Sequence, residues 1–308
     1  MAEPNFNNPN VHVQSWYVVD RATALRPGQV RSFDLLGRRI AVYRNSSGAL
    51  YAVDGRCPHL GADLGQGRVE GSSLRCRLHG WRIGSDGACV SPAGPGQIEK
   101  RSVHAYPVVE RWGIIWLFNG PEPSFDLPDL GSTNPNWVVR LPPQTIDCHP
   151  HLVIGNGLDV THFSVLHDME LTATPRLDTR ERFTTSLEIQ GRPRAPQLRR
   201  ATGTQRADIA ARFTAIGGSL AVATVRAPIQ FDVLFTGRTN TQGNCETRTL
   251  VFLYSRNPIY VTRALVILYT LLHNDRRVLD RLQFAPDWSA TDDGLRTFAA
   301  VIDRMAVW

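Results

Sequence analysis

Short runs of β-forming residues dominate the first 120 positions of the chain, and they predict a small all-β domain. The runs are WYVV, RRIAVYR, ALYAVD and WGIIWLF, and turn-forming pairs such as Pro-Gly and Asp-Gly separate them. Residues 39–44, the turn at 45–48 and residues 49–54 have the pattern of a hairpin. Many short strands with regular turns are typical of a sandwich or a small barrel.

The pattern changes after a proline-containing stretch between residues 120 and 143. Beyond it, residues 258–273 predict a helix, and apolar runs predict strands at 182–189, 209–216, 220–225, 231–236 and 247–254. We therefore predict an α+β protein with one domain at 16–120 and a second at 121–308. An antiparallel sheet around a long helix is expected in the second domain.

Composition and charge exclude some classes of protein. The chain has 308 residues and a net charge of +6, but Lys100 is its single lysine and the arginines are dispersed, which argues against nucleic-acid binding. The stretch MAEPNFNNPN lacks the features of a secretory signal. The apolar run at 264–272 is far shorter than the ~20 residues that span a bilayer. We expect a soluble cytoplasmic protein whose exposed arginines dock an acidic redox protein.

Two short loops carry the strongest chemical pattern. The first is C-x-H at Cys57 and His59, and the second is C-x-x-H at Cys76 and His79. Two cysteines and two histidines suit a 2Fe-2S cluster in which the thiolates hold one iron and the imidazoles the other. A tetrahedral zinc site is the alternative, although zinc fingers usually pair Cys with Cys and His with His. Cys89 lies beyond the second loop and is expected to be a buried residue without a role in the cluster.

A second group of candidate ligands lies within GNGLDVTHFSVLHD. Asn156 has the pattern of a helix N-cap, and Asp159 and His162 are three positions apart on the helix that follows. His167 can share an ion with His162 only if the helix bends or ends near it. Two histidines with a distant carboxylate form the facial triad that holds Fe(II).

His149 and His151 are rival candidates, because residues two apart in an extended segment share a face. With Pro150 between them, they are more simply explained at the edge of the sheet, or as residues that bring a neighbouring subunit into register.

The two loops resemble the Rieske motif, and with N-x-x-D-x-x-H-x-x-x-x-H they resemble the terminal components of Rieske non-heme iron oxygenases. This resemblance implies a Rieske domain followed by a helix-grip catalytic domain. It implies that Cys57, His59, Cys76 and His79 bind the 2Fe-2S cluster. His162 and His167 would bind iron.

The resemblance also implies that Asp159 bridges electrons to the cluster of a neighbouring subunit. The third iron ligand is then a carboxylate far along the chain, and the run from Asn274 to Gln283 resembles the family's carboxylate helix. Asp275 is the predicted ligand and Asp280 the reserve. A capping role at a helix N-terminus would explain Asp275 without any metal. Alternate strand positions would line an apolar cavity, with Phe213, Phe231 and Phe235 as candidates.

The implied activity is that of a stand-alone monooxygenase, similar to those acting on steroid-like molecules. It would use O2 and electrons from NAD(P)H, delivered by a reductase or a ferredoxin, to oxidise and most simply hydroxylate a hydrophobic substrate. A homotrimer is implied as well. Desaturation, dealkylation, cyclisation and N-oxygenation remain open as outcomes. The alternatives of another class are an electron carrier with a ligand-binding domain and a zinc-dependent binding module.

Overall fold

The computed structural model describes residues 3–92, 99–130, 135–203, 207–285, 287–289 and 291–308. They form two compact units. The N-terminal unit comprises residues 14–124 and Trp308, and the C-terminal unit comprises residues 125–307 and the segment up to Val13.

The N-terminal unit is built from short antiparallel strands in three sheets, in the orders β1-β12-β11, β10-β4-β3-β2 and β5-β6-β7-β8-β9. The strands are β1 (Trp16–Arg21), β2 (Val30–Leu35), β3 (Arg38–Arg44), β4 (Leu50–Asp54), β5 (Arg68–Glu70), β6 (Ser73–Arg75), β7 (Arg82–Ile83), β8 (Ala88–Val90), β9 (Lys100–Ser102), β10 (Ala105–Tyr106), β11 (Val108–Arg111) and β12 (Ile114–Phe118). The predicted hairpin is confirmed, because β3 and β4 pair antiparallel.

Apolar side chains from alternate strand positions fill two cores in this unit. One of them contains Cys57, Cys76 and Trp81 together with Leu64 and Leu74. Residues of the two cysteine–histidine loops are thus anchored in the core rather than carried on free ends of the chain.

The C-terminal unit is a nine-stranded antiparallel sheet with helices. Its elements are β13 (Trp137–Arg140), β14 (Gln144–Ile146), α1 (Pro150–Gly155), α2 (Val160–Val165), β15 (Met169–Leu171), β16 (Arg176–Asp178), β17 (Thr184–Pro193), α3 (Pro196–Thr202), β18 (Ile209–Ile216), β19 (Leu220–Ala227), β20 (Phe231–Thr239), β21 (Cys245–Leu253), α4 (Pro258–Leu279) and α5 (Asp293–Asp303). The main path runs β13-β21-β20-β19-β18-β17-β15, with β14 on β21 and β16 on β17.

The long helix α4 packs against one face of this sheet. Its buried Ala264, Ile267, Leu268 and Leu279 belong to the same core as inward-facing strand residues such as Val233. The predicted helix is confirmed, but it continues six residues beyond His273, to Leu279. The antiparallel sheet around a helix agrees with the predicted fold class.

The start of the chain belongs to the C-terminal unit, which the sequence pattern did not predict. Phe6 is buried in its core, and the Asn5 side-chain amide donates to the carbonyl of Met305 at 3.0 Å. Val13 pairs with Val307 in an isolated β-bridge. Residues 5–13 therefore pack against residues 305–307 within this unit.

Among the residues that the structure describes, no helix combines the length and the apolar character needed to cross a bilayer.

Candidate functional site

The two cysteine–histidine loops have matching backbone geometry. The Gly61 amide donates to the Cys57 carbonyl at 2.8 Å, and the Gly80 amide donates to the Cys76 carbonyl at 3.0 Å. The glycines have φ values of +75° and +72°, a region that side chains with a Cβ rarely adopt. The backbone conformation of each loop therefore requires a glycine at these two positions.

The four predicted cluster ligands converge at the ends of these loops. Cys57 and Cys76 are buried, and burial raises the pKa of the Cys57 thiol. The rings of His59 and His79 lie 4.8 Å apart between centroids. The indole of Trp81 stacks on His59 at 5.4 Å.

This arrangement fits a metal cluster. His59 Nδ1 is buried and has no hydrogen-bond partner among the described residues. A buried thiol with a raised pKa ionises only if a cation stabilises the thiolate, and coordinating iron does this. Cys89 is also buried, but its Sγ contacts the carbonyl of Gly87 at 3.3 Å.

In the C-terminal unit, Asp159 fixes the start of α2. Its Oδ1 accepts hydrogen bonds from the amides of Thr161 at 2.8 Å and His162 at 3.3 Å, which is N-cap geometry. The helix ends at Val165, before His167. Because the helix ends before His167, the imidazoles of His162 and His167 can face one ion.

Asp275 of α4 meets the two histidines. Its Oδ1 lies 2.9 Å from His167 Nε2 and 3.8 Å from His162 Nε2. One ligand atom from each of the three residues lies within 4.8 Å of the other two. The His167 side chain is 1% exposed, that of His162 10% and that of Asp275 17%, so the group is largely closed to water.

The hydrogen bonds of this trio favour a bound cation. His162 Nδ1 lies 2.6 Å from the Asp159 carbonyl oxygen, which can only accept, so Nδ1 carries the proton and Nε2 presents a lone pair. Burial lowers the pKa of His162 and favours the neutral ring. Asp275 Oδ1 is buried and, despite the nearness of His167 Nε2, has no hydrogen-bond partner of acceptable geometry among the described residues. Converging lone pairs of two imidazoles and a carboxylate fit a divalent iron.

Two predictions about neighbouring residues are wrong. Asn156 is not a helix N-cap: it lies just after α1 with helical dihedral angles, and Asp159 has the capping role. His149 and His151 are not at a sheet edge. His149 caps α1 by accepting from the His151 amide at 3.2 Å, and His151 Nδ1 accepts from the Asn7 amide at 3.1 Å.

Asp280, the reserve ligand, lies apart from the two histidines. It follows the last turn of α4, is exposed, and its Oδ1 accepts from the Asp147 amide at 3.0 Å. A carboxylate used in this way anchors the end of the helix to the β14 segment.

An apolar cavity opens beside the trio, within the C-terminal unit. The predicted Phe213, Phe231 and Phe235 all line it. Leu268, Leu271 and Leu272 of α4 cover it from the opposite side. Its polar lining residues were not predicted from the sequence as cavity residues; they are Gln144, Asn156, Thr214, Thr247, Thr249 and Arg276. Hydroxyls at alternate positions of an apolar strand are the pattern that could have identified Thr247 and Thr249.

Fold and site together define a two-centre protein, with a cluster domain and a mononuclear metal domain. Family models agree: the Rieske 2Fe-2S domain matches residues 15–107, and the 3-ketosteroid 9alpha-hydroxylase C-terminal domain matches residues 115–237. The chain belongs to the Rieske non-heme iron oxygenase family.

Curated relatives include two sterol enzymes. The chain is 35% identical over 158 residues to 4beta-methylsterol monooxygenase of Methylococcus capsulatus, covering 48% of this chain and 42% of that protein. It is 33% identical over 198 residues to cholesterol 7-desaturase nvd of Bombyx mori, covering 60% of this chain and 41% of that protein. The chain thus spans less than half the length of either relative.

Solved structures show the same fold over nearly the whole chain. A dicamba monooxygenase bound to dicamba is 18% identical, with a TM-score of 0.66 and coverage of 94% of this chain and 97% of that one. NdmA of Pseudomonas putida CBB5 with caffeine is 17% identical, with a TM-score of 0.65 and coverage of 95% and 96%. At this identity the likeness establishes the fold.

Proposed function

We propose that the protein is the terminal oxygenase of a multicomponent system and oxidises a hydrophobic small molecule with O2. The convergence of His162, His167 and Asp275 at the wall of an apolar cavity carries this proposal. These three residues would hold Fe(II), and Cys57, Cys76, His59 and His79 would hold the 2Fe-2S cluster. When bound, the iron supplies O2 activation and the cluster supplies single electrons.

The chain's own residues prepare this site. Asp159 orients the His162 ring through its carbonyl and holds the helix start through its carboxylate. The apolar lining excludes water and favours an apolar ligand next to the metal. An electron carrier without chemistry would have no use for a buried carboxylate beside two imidazoles, because burial of the charged form costs free energy.

Iron content tests the assignment. The reconstituted protein is expected to hold about three iron atoms per chain, two in the cluster and one at the triad. His162→Ala is expected to hold about two, with the cluster absorbance unchanged. A mononuclear iron retained in His162→Ala would contradict the ligand assignment, and a colourless protein would contradict the cluster.

We propose that Asp159 also carries electrons from the cluster of an adjacent subunit in a homotrimer. Asparagine can replace aspartate as an N-cap, so Asp159→Asn should keep the helix, both metals and the trimer. It removes the charge, and substrate-coupled turnover should fall to a small fraction of the wild-type value. Full activity in this variant would exclude the bridging role, and ultracentrifugation would test the trimer separately.

The electron donor is proposed to be an acidic ferredoxin or reductase, supplied with electrons by NAD(P)H in the cytoplasm. The cluster tip, defined as Arg56, Leu60, Arg77 and Leu78, supports this partner. Leu60 and Leu78 are 68% and 58% exposed, and an exposed arginine flanks the cysteine of each loop. In the proposed trimer Leu60 and Leu78, next to the cluster histidines, would face the neighbouring subunit, and the flanking arginines would remain to attract an acidic redox protein.

Arginine substitutions test this docking surface. With a plant-type acidic ferredoxin and its reductase as donor, Arg77→Glu should slow cluster reduction several-fold at low salt and converge with the wild type at high salt. Arg21→Glu makes the same charge change outside the cluster tip and serves as the control. Equal slowing in both variants would exclude the tip as the docking surface.

The substrate is proposed to be a sterol-like polycyclic molecule, and the outcome hydroxylation. The names of the sterol relatives support the substrate class, and the desaturase among them keeps desaturation as the alternative outcome. A product screen with the surrogate donor, read by mass spectrometry, separates them: hydroxylation adds one oxygen, and desaturation removes two hydrogens.

A further inference from the structure

Among the described residues of this sheet face that line the cavity, those of β18, β19 and β20 are apolar, and two residues of β21 carry hydroxyls. Along β18, β19 and the first part of β20, up to Phe235, the residues on this face are alanine, valine, isoleucine and phenylalanine. On β21 the same face carries Cys245, Thr247, Thr249, Val251 and Leu253, because alternate residues of a strand share a face. Two adjacent hydroxyl-bearing positions therefore interrupt an otherwise apolar surface.

The Thr247 and Thr249 side chains are buried and line the cavity, yet neither hydroxyl has a hydrogen bond to any residue that the structure describes. Two other threonines of the same sheet have hydrogen-bond partners, the buried Thr236 and the half-buried Thr214. The Thr236 hydroxyl donates to the Arg248 carbonyl at 3.2 Å, and Thr214 shares a hydrogen bond of 2.8 Å with Ser186. The Thr185 hydroxyl of β17 is also buried without a hydrogen-bond partner, but it does not line the cavity, so the β21 pair is distinguished by its open position at the cavity wall.

An unsatisfied buried hydroxyl costs about 1–3 kcal/mol, whereas valine has nearly the same shape and avoids this cost. The pair is therefore explained by a polar group that enters the cavity from outside. Two hydroxyls two residues apart are separated by about 6.6 Å along the strand. With this spacing, both hydroxyls can hydrogen-bond the same ligand oxygen atom, or they can contact one oxygen-containing group from two sides.

The pair lies three strands away from the residue that packs beside His162. The end of α4 that carries Asp275 is nearer, because Arg276 reaches the Thr145 carbonyl of β14, the strand that pairs with β21 at Thr247. Phe163, next to His162, packs against Phe213 of β18 with ring centroids 5.0 Å apart. In the sheet order β21-β20-β19-β18, these strands are three steps apart, about 14 Å. Between them the row Phe235, Ala221 and Ala215 continues from Thr249. The two alanines leave room for a flat ligand.

We propose that Thr247 and Thr249 bind the single oxygen function, a hydroxyl or a ketone, of a rigid polycyclic substrate and so orient the opposite end of its ring system toward His162. The proposal rests on the proposed function for the identity of the reacting site, but the binding step itself needs neither iron nor O2. The pair makes this protein select oxygenated skeletons over the parent hydrocarbons.

Ligand binding tests the proposal with two probes that differ by one hydroxyl, androstanol and the parent androstane, delivered from cyclodextrin at matched concentrations. Wild-type protein, with and without iron, should bind androstanol about 3- to 10-fold more tightly, as one or two net hydrogen bonds allow. In Thr247→Val/Thr249→Val that preference should disappear while the affinity for androstane stays the same or rises. Thr224→Val, a substitution on the opposite face of β19, should keep the wild-type preference.

Three outcomes would overturn the proposal. They are a wild-type protein without preference, a double variant that retains it, and binding of neither probe. If the threonines hold only cavity water, valine would raise the affinity for both probes equally, which also contradicts the proposal. Loss of the mononuclear iron assignment would leave the probe preference unaffected, so failure of the function and failure of this inference are distinguishable.

Discussion

The two candidate metal sites of this chain are built in opposite ways. The proposed cluster ligands lie within residues 57–79, on two loops that the same glycine-closed turn shapes. The proposed iron ligands lie on α2, just after α2, and on α4, and Asp275 follows His167 by more than a hundred positions. The first site is a local motif, whereas the second exists only when the sheet has placed α4 against the α1–α2 segment.

This difference decides how each site should respond to damage. A local site depends on its own turn chemistry and nearby core, so it should be lost or retained as one unit. A site assembled from distant elements should lose its metal through any one ligand and should share its stability with the rest of its unit.

The largest effect is expected from Cys76→Ala. Removal of one cluster thiolate should abolish the cluster absorbance and lower iron from about three atoms per chain to about one. The matched control Cys89→Ala should keep the cluster, because Cys89 is a packing residue with its Sγ on a backbone carbonyl. Absorbance spectra and iron counting check both variants. Loss of the triad iron in Cys76→Ala would show that the two sites do not assemble independently.

An intermediate effect separates the two carboxylates of α4. Asp275→Ala should lose the triad iron and leave about two iron atoms per chain. Asp280→Ala should keep all the iron and lower the free energy of unfolding by about 1 kcal/mol, because it loses only its hydrogen bond to the Asp147 amide. Iron analysis and urea denaturation measure the two quantities. Iron loss in Asp280→Ala, with none in Asp275→Ala, would reverse the assignment.

The smallest effect concerns pH and the C-terminal unit. Burial lowers the pKa of His149 to about 4, and it also lowers the pKa of His151. The residues that face these two histidines are Asn7, Asn8 and His12. Between the unfolded value near 6.5 and the folded value, the unfolded chain binds more protons. Stability is therefore complete above that unfolded value and falls as the pH drops toward 4.

The variant His149→Asn sharpens this expectation. Asparagine keeps the cap of α1 but does not titrate, so the urea midpoint should fall less between pH 7 and pH 5 than in the wild type. His273→Asn, at an exposed position of α4, should keep the wild-type slope. An unchanged slope in His149→Asn would mean that this histidine contributes nothing to the acid sensitivity.

The same contrast explains what could be predicted from sequence. The cluster loops, the hairpin and the inner strands were accessible because their patterns are local. The N-cap assigned to Asn156 and the sheet-edge position of His149 and His151 failed, because caps depend on where a helix begins. The packing of Phe6 could not be predicted, since its contacts lie almost three hundred residues away.

The end of α4 is the most instructive miss. The apolar periodicity of Leu268, Leu271 and Leu272 continues to position 275 and then to Leu279. The prediction ended one helix at His273 and assigned residues 274–283 to the carboxylate helix that follows, whereas the structure has a single continuous helix to Leu279. A carboxylate at a core-facing position is therefore evidence for a ligand and not for the end of a helix.

Helix α4 covers one side of the cavity and also contains Asp275. Because a helix moves as a rigid element, a shift of α4 at Leu268 also moves the Asp275 carboxylate, which lies two turns further along. The size of a molecule in the cavity should therefore affect the position of Asp275, the proposed third ligand, so that an empty and a filled cavity are expected to differ in metal coordination.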